Sequence, residues 1–308
     1  MRGGSRHQFK SRERTIGSPM ARIVYVNGQY LPHAQAQIHC EDRGFIFGDA
    51  VYEVCPVIGA RIVDEEPHLV RLERSMAELA IEPPMGRAAL GVVLAEVVRR
   101  NRVRDGSVYL QVSRGAAPRD FVFPPAGTPR TVVAFARSQK FESGELQAQN
   151  GVSVITAADQ RWGRVDIKTV NLLAPVLAKE KARAANAKEC WLIDRDGLVT
   201  EGASSNAWIV SKTGEIITRK ADNAILRGVT RTVLMDFLAR RNLRITERPF
   251  TVAEAQGAAE AFLTSATTFV MPIIQIDDVK VANGKPGPIS LELRQLVVGA
   301  ATANTSTD

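Results

Sequence analysis

Between residues 138 and 150 the apolar patterning that runs through the rest of this 308-residue chain stops. The stretch is polar, contains Gly144 and has no clear period, so it reads as a linker that cuts the chain in two. A chain this long also exceeds what one hydrophobic core usually holds. Two domains are therefore expected, a smaller one over 20–137 and a larger one over 151–300.

The first half alternates over 22–26 and meets Asn27-Gly28, a type I′ hairpin signal, before returning through Gln29-Tyr30-Leu31 to Pro32. Residues 51–58 are β-rich and closed by Gly59. Leu69, Leu72, Met76 and Leu79 stand at helical spacing within 65–80, and 90–98 repeats the pattern. Val108, Leu110 and Val112 alternate, as do Val133 and Phe135. Helices grouped beside antiparallel strands define an α+β domain. In the second half a strand over 152–156 precedes a helix over about 171–186 and a hairpin, C-W-L-I-D-R-D-G-L-V-T-E, turning at Asp196-Gly197. Strands over 207–210 and 215–218 meet around Thr213-Gly214. A helix over 229–241, a strand near 243–246, a short helix over 252–258 and the strand A-F-L-T-S follow. Residues 283–288 are a loop before a last helix, and 301–308 a polar, disordered end.

The net charge of +7 suggests nucleic acid until it is located: Arg2, Arg6, Lys10, Arg12 and Arg14 against Glu13 carry +4 of it, which leaves +3 for the body. A mildly basic body does not call for a nucleic-acid partner. The first nineteen residues have no apolar h-region and no amphipathic stripe, so they are neither a secretory signal nor a transit peptide. They are expected to be a disordered extension, native or a cloning remnant, with Met20 as the natural start. No run of 18 apolar residues offers a membrane span. Cys40, Cys55 and Cys190 are odd in number and lack C-x-x-C spacing. They read as packing residues in a reduced compartment, the cytoplasm, with no disulfide framework and no metal site.

The chemistry centres on R-W-G-R-V-D-I-K-T, residues 161–169. Lys168 ends an extended apolar run directly before a helical pattern, so backbone on both sides can hold and aim it. An amine that forms a Schiff base must shed its proton near neutral pH, which burial or a cationic neighbour promotes, and Arg161 and Arg164 are close in sequence. A lone lysine is ordinarily a solvated residue. Here T-E-G-A-S-S-N-A-W follows at 200–208, and I-L-R-G-V-T-R runs into a helix beginning near Val229. The free N–H groups of Val229 and Thr230 at that helix start form either a natural anion site or an ordinary capped end.

Taken in order, D-R-G-F-I-F-G-D-A-V-Y-E-V, I-K-T-V-N-L-L and T-E-G-A-S-S-N resemble the class IV pyridoxal-phosphate aminotransferases, most closely the D-amino acid aminotransferases, over about 20–300. The resemblance implies that fold and pyridoxal 5′-phosphate as cofactor. It makes Lys168 the Schiff-base lysine and general base, and Glu201 the carboxylate facing the pyridine nitrogen, which keeps the ring an electron sink. Val229 with Thr230, and Thr264-Ser265-Ala266, become two walls of a phosphate cup, with Arg71 adding a charge-assisted contact. Arg161, Ser204 and Leu226 match further cofactor contacts. Tyr52 and Arg119 match the trap for the substrate α-carboxylate, Arg119 reaching across from the partner subunit of a homodimer. Two departures stand out: Ala266 where these enzymes usually carry threonine, and Phe121 where the pattern expects histidine.

The implied activity is transfer of the amino group between D-alanine, D-glutamate or D-aspartate and a 2-oxo acid. V-Y-E-V and A-P-R favour it over a branched-chain L-amino acid aminotransferase. An aminodeoxychorismate lyase would share Lys168 and Glu201, and an (R)-selective amine transaminase would suit Phe121. A basic binding protein on a retired enzyme fold is disfavoured because Lys168 and Glu201 are both intact.

Overall fold

The computed structural model describes residues 22–241 and 244–303. The expectations for residues 1–21, for a strand starting at Leu243 and for the end of the chain from 304 on lie outside these residues. The first half contains β1 (Ile23–Val26), β2 (Gln29–Pro32), α1 (Arg43–Phe47), β3 (Ala50–Ile58), β4 (Arg61–Ile62), α2 (Glu65–Glu78), α3 (Arg87–Arg100), β5 (Gly106–Ser113) and β6 (Thr131–Ser138). Next come α4 (Phe141–Asn150), β7 (Val152–Ala158), α5 (Leu173–Ala184), β8 (Glu189–Ile193), β9 (Val199–Gly202), β10 (Asn206–Val210) and β11 (Ile216–Thr218). The chain then forms α6 (Val229–Arg240), β12 (Ile245–Glu247), α7 (Val252–Gln256), β13 (Glu260–Ser265), β14 (Phe269–Ile276), β15 (Val279–Lys280) and α8 (Pro288–Ala303).

The first sheet has six strands in the order β2-β1-β6-β5-β3-β4, antiparallel throughout. The apolar stripes seen in the sequence pack on it: Leu69, Leu72 and Met76 of α2 and Leu90, Leu94 and Val97 of α3 meet Val51, Cys55, Val57, Val108 and Leu110. Burying each such side chain fully contributes about 1.5 to 3 kcal/mol. Alternation along β3 decides what the other face does. Val51, Cys55 and Val57 point into this core, while Tyr52, Val54 and Pro56 line a cavity between the sheets.

The second sheet has nine strands, β12-β11-β10-β13-β14-β7-β8-β9 with β15 on β14. It is mixed: β11/β12, β14/β7 and β7/β8 are parallel pairs, and its other pairs are antiparallel. Leu234 and Leu238 of α6 and Leu293 and Val297 of α8 pack against Trp208, Phe262 and Val270 on one face. Phe250 and Ala255 belong to a second core cluster with Trp191, Leu263 and Met271.

Several expectations change. The stretch 138–150, expected to be an irregular linker, holds α4, a ten-residue helix. The last helix runs to Ala303, so residues 301–303 are helical rather than a frayed tail. β14 is a full strand that periodicity did not suggest, because Pro272 sits within it. Proline is tolerated there because β7 begins to pair only at Ile273, which leaves Pro272 opposite Phe262 of β13 alone. Cys55 and Cys190 are buried, but Cys40 is exposed and is no packing residue.

Candidate active site

Lys168 lies in an irregular loop between β7 and α5, not at the end of a strand. The loop is nevertheless gripped. The Tyr52 N–H donates to the Lys168 carbonyl at 3.0 Å and the Val170 N–H to Ala50 at 3.1 Å, so the loop adds a short bridge, Val51 to Thr169, to the edge of β3. The Lys168 N–H donates to Ser75 Oγ of α2 at 3.3 Å. Arg74 holds Asp166 from α2, through its carbonyl at 2.8 Å and its carboxylate at 2.6 Å. A segment that follows a strand of the second sheet is thereby fastened to a strand and a helix of the first. The amine of Lys168 reaches the Tyr52 hydroxyl at 3.3 Å and stands 4.3 Å from the centre of its ring. The two arginines expected to act as its cationic neighbours are each neutralised: Arg161 pairs with Asp159 and Glu201, and Arg164 with Asp166 and Glu78.

Glu201 is the penultimate residue of β9, with both oxygens buried among donors. Arg161 pairs with one oxygen, Asn206 Nδ2 donates to the other at 2.8 Å, and the Leu226 N–H reaches both at 3.1 Å. Burial pushes its pKa up, and the Arg161 guanidinium and these hydrogen bonds oppose that. Arg161 is itself held by Asp159 and by the Ala224 carbonyl at 3.2 Å. A buried carboxylate with this surrounding is suited to face one more cationic N–H.

Asn206 also joins the anion-binding elements. Its amide donates to the Leu226 carbonyl at 2.9 Å, and its carbonyl oxygen would lie 2.2 Å from any Cβ placed on Gly228. Gly228 is the N-cap of α6, which has no side-chain cap, so the first N–H groups of the helix have neither a capping side chain nor an intrahelical acceptor. Arg71 stands beside this helix end. It is clamped to Glu53 by two bonds of 2.8 and 2.7 Å, and its Nη1 donates to the Arg227 carbonyl at 3.1 Å. Across the site Asn206 pairs in register with Thr264, which leads into Ser265 and Ala266. Thr267 lines the cavity next to Ala266, and Thr268 Oγ1 lies 2.7 Å from Ser265 Oγ.

These groups line one cavity of about 760 Å³ between the sheets. Tyr52, Arg71, Arg161, Lys168, Glu201, Ser204, Leu226, Val229, Thr230, Ser265 and Ala266 all face it, although they come from positions spread over most of the chain. Arg119 and Phe121 do not line it. They sit on the loop between β5 and β6, where the Arg119 guanidinium lies 5.4 Å from the Phe47 ring and 5.5 Å from the Phe121 ring. Arg43 ties that loop down through the carbonyls of Asp120 and Val122. Sequence reasoning missed the supports of the site: Asn206, Asp159, Glu53 and Glu189, the last accepting from Ser204 and Ser205 at 2.6 and 3.0 Å. Two of them stood inside motifs already singled out, Asn206 in T-E-G-A-S-S-N and Glu53 in V-Y-E-V.

The amino-transferase class IV profile matches residues 50–276, and the chain belongs to that family. It is 38% identical to the D-alanine aminotransferase of Bacillus licheniformis, over 92% of this chain and 98% of that one. It is also 38% identical to the D-alanine aminotransferase of Listeria monocytogenes, over 91% and 96% of the two chains. Among solved structures it resembles a branched-chain amino acid aminotransferase from T.th., crystallised with pyridoxamine 5′-phosphate. The TM-score is 0.85 and the identity 26%, over 92% and 95% of the chains.

Proposed function

We propose that the protein is a pyridoxal-phosphate-dependent D-amino acid aminotransferase, exchanging the amino group of D-alanine, D-glutamate or D-aspartate with a 2-oxo acid. The observation that carries this reading is the convergence of Lys168, the buried Glu201 and the uncapped start of α6 on one cavity, in a chain 38% identical to D-alanine aminotransferases over nine-tenths of its length. The cofactor fits the residues present. A protonated ring nitrogen satisfies the carboxylate that burial disfavours at Glu201, and a phosphate matches the α6 terminus beside Arg71. When bound, pyridoxal phosphate supplies the aldehyde that takes the amino group and a ring that takes up electron density.

The chain's own residues do the rest. Lys168 Nζ, which lines the cavity, would take up the proton of the substrate Cα and return it during amino transfer. Glu201, fixed by Arg161, Asn206 and the Leu226 N–H, would hold a proton on the ring nitrogen of the bound cofactor. The Tyr52 hydroxyl, 3.3 Å from the amine, contributes to the substrate carboxylate site and keeps Lys168 from swinging away.

Arg119 completes that site from a second copy of the chain. It does not line the cavity of its own chain, and the surface around it is apolar: Phe45, Phe121, Val122 and Phe123 are 73%, 78%, 68% and 60% exposed. Leu173, Val176 and Leu177 on α5 are exposed as well. Phe121 packs against Arg119 instead of adding a hydrogen bond, and so gives the carboxylate trap a more apolar mouth. The free thiols of Cys40, Cys55 and Cys190 support a cytoplasmic setting.

The deciding assay gives the purified protein each enantiomer of alanine, glutamate and leucine with 2-oxoglutarate or pyruvate as acceptor. D-alanine and D-glutamate should donate. Turnover of L-leucine in their place would make it a branched-chain enzyme, pyruvate release without an acceptor a lyase, and preference for a carboxylate-free (R)-amine an amine transaminase.

A further inference from the structure

At Phe269 the chain leaves the loop 265–268 with a φ of +58°, a left-handed conformation that an aromatic residue rarely adopts. Such a residue persists only where its surroundings over-determine it. Arg294, on α8 and 4% exposed, brackets it: Nη1 donates to the carbonyls on both sides, Thr268 at 2.7 Å and Val270 at 2.6 Å. The other edge of the same guanidinium meets both oxygens of Glu145 on α4, Nη2 at 2.7 Å and Nε at 3.3 Å. Phe141, also on α4, approaches the Phe269 ring edge-on with centroids 6.3 Å apart. Only a planar fork with several fixed donors can hold two carbonyls and a carboxylate at once, and a lysine ammonium cannot.

The loop so held is the one that carries Ser265 and Ala266 to the cavity. From inside, the Thr268 N–H donates to Ser265 Oγ at 3.3 Å. On the other side of the loop, Arg294, itself at the cavity wall, fixes the carbonyl that follows. The direction of the backbone N–H groups at Ser265 and Ala266 therefore depends on a residue of the last helix and, through Glu145, on the helix that joins the two sheets.

We propose that Arg294 is a positioning residue for phosphate recognition, holding the loop 265–268 in the conformation that grips a phosphate monoester and tying it to α4. This rests on the reading of the cavity given above, which supplies the identity of the ligand. If Arg294 is lost, Phe269 relaxes toward ordinary backbone and the loop turns its donors off the phosphate. The rest of the cavity, around Lys168 and Glu201, is untouched.

The test is equilibrium binding of pyridoxamine 5′-phosphate and of pyridoxamine to the full chain stripped of cofactor, by calorimetry, in wild type, Arg294→Lys, Arg294→Met and Glu145→Gln. The readout is the ratio of the two dissociation constants, which isolates the phosphate. Both Arg294 variants should lower that preference roughly 10-fold or more while pyridoxamine itself binds within about 3-fold of wild type, and Glu145→Gln should lower it about 3-fold. Proportional weakening of both ligands, or an unchanged ratio, would overturn the proposal. Should the Arg294 variants not fold, Glu145→Gln decides alone, and an unchanged ratio there overturns it too. A wild-type protein with no preference for the phosphorylated ligand would instead overturn the reading of the cavity, and this inference with it.

Discussion

Lys168 stands in a loop fastened to β3 and α2 with its amine in the cavity, and Lys168→Ala should abolish transamination outright. The variant should still bind pyridoxamine 5′-phosphate, because the residues proposed to hold it are elsewhere. Residual turnover at a tenth of the wild-type rate would remove Lys168 from its role. Gly228 tests the architecture behind Glu201. A methyl group there would sit 2.2 Å from Asn206 Oδ1, and Asn206 is the side chain that donates to Glu201 at 2.8 Å. Gly228→Ala should thus lower kcat in the same direction as Glu201→Gln, by roughly 10-fold or more if one charge-assisted hydrogen bond is lost. The expected thermal midpoint change is small, and a kcat unchanged within two-fold would show that Asn206 does not matter to Glu201. Lys168, Glu201 and Tyr52 were legible in the sequence because each sits in a compact motif. Arg294 was not, since its partner Glu145 is 149 positions away and neither residue lies in a motif.

Among the elements, α2 and β3 share a buried charge cluster whose pH response is fixed in sign. Glu53 receives both Arg71 bonds and one from His68 at 2.7 Å, and although burial opposes ionisation, these partners bring its pKa down to about 2 from an ordinary 4.5. A depressed carboxylate stabilises the fold fully above its ordinary pKa and loses that contribution as pH falls through 4.5 toward 2. The amount is on the order of 3 kcal/mol. His68, whose pKa burial lowers, pulls the same way: the unfolded chain takes up a proton below about 6.5 that the native imidazole resists. The urea midpoint should decline gently below pH 6.5 and steeply below 4.5, and Glu53→Gln should remove the steep limb. A wild-type midpoint that stays flat to pH 3.5 would contradict the cluster. The helix α4 teaches a different lesson. Only Ala148 of its ten residues is buried, so no apolar stripe announced it. What holds it is Glu145 on Arg294 and Phe141 on Phe269, contacts supplied by the other end of the chain.

For the whole molecule, the amphipathic helices and the hairpins of both halves were readable, because their periodicity reflects a single buried face. The order of the nine-stranded sheet was not, since β7 inserts between β14 and β8 and local pattern carries no record of a distant neighbour. The proposed second copy of the chain makes a measurable claim. Dilution that dissociates the dimer should abolish activity, with the Michaelis constant for D-alanine rising before kcat falls to zero, because Arg119 is withdrawn from the partner's cavity. Sedimentation of a fully active monomer at assay concentration would end that reading. The cavity walls are contributed from Tyr52 through Arg294. During synthesis the first sheet is made early, Tyr52 meets Lys168 and Arg71 the Arg227 carbonyl as the second half follows, and the loop 265–268 closes the far wall last but for α8. The cavity is therefore complete only once all of these segments have been made, however early the first sheet forms.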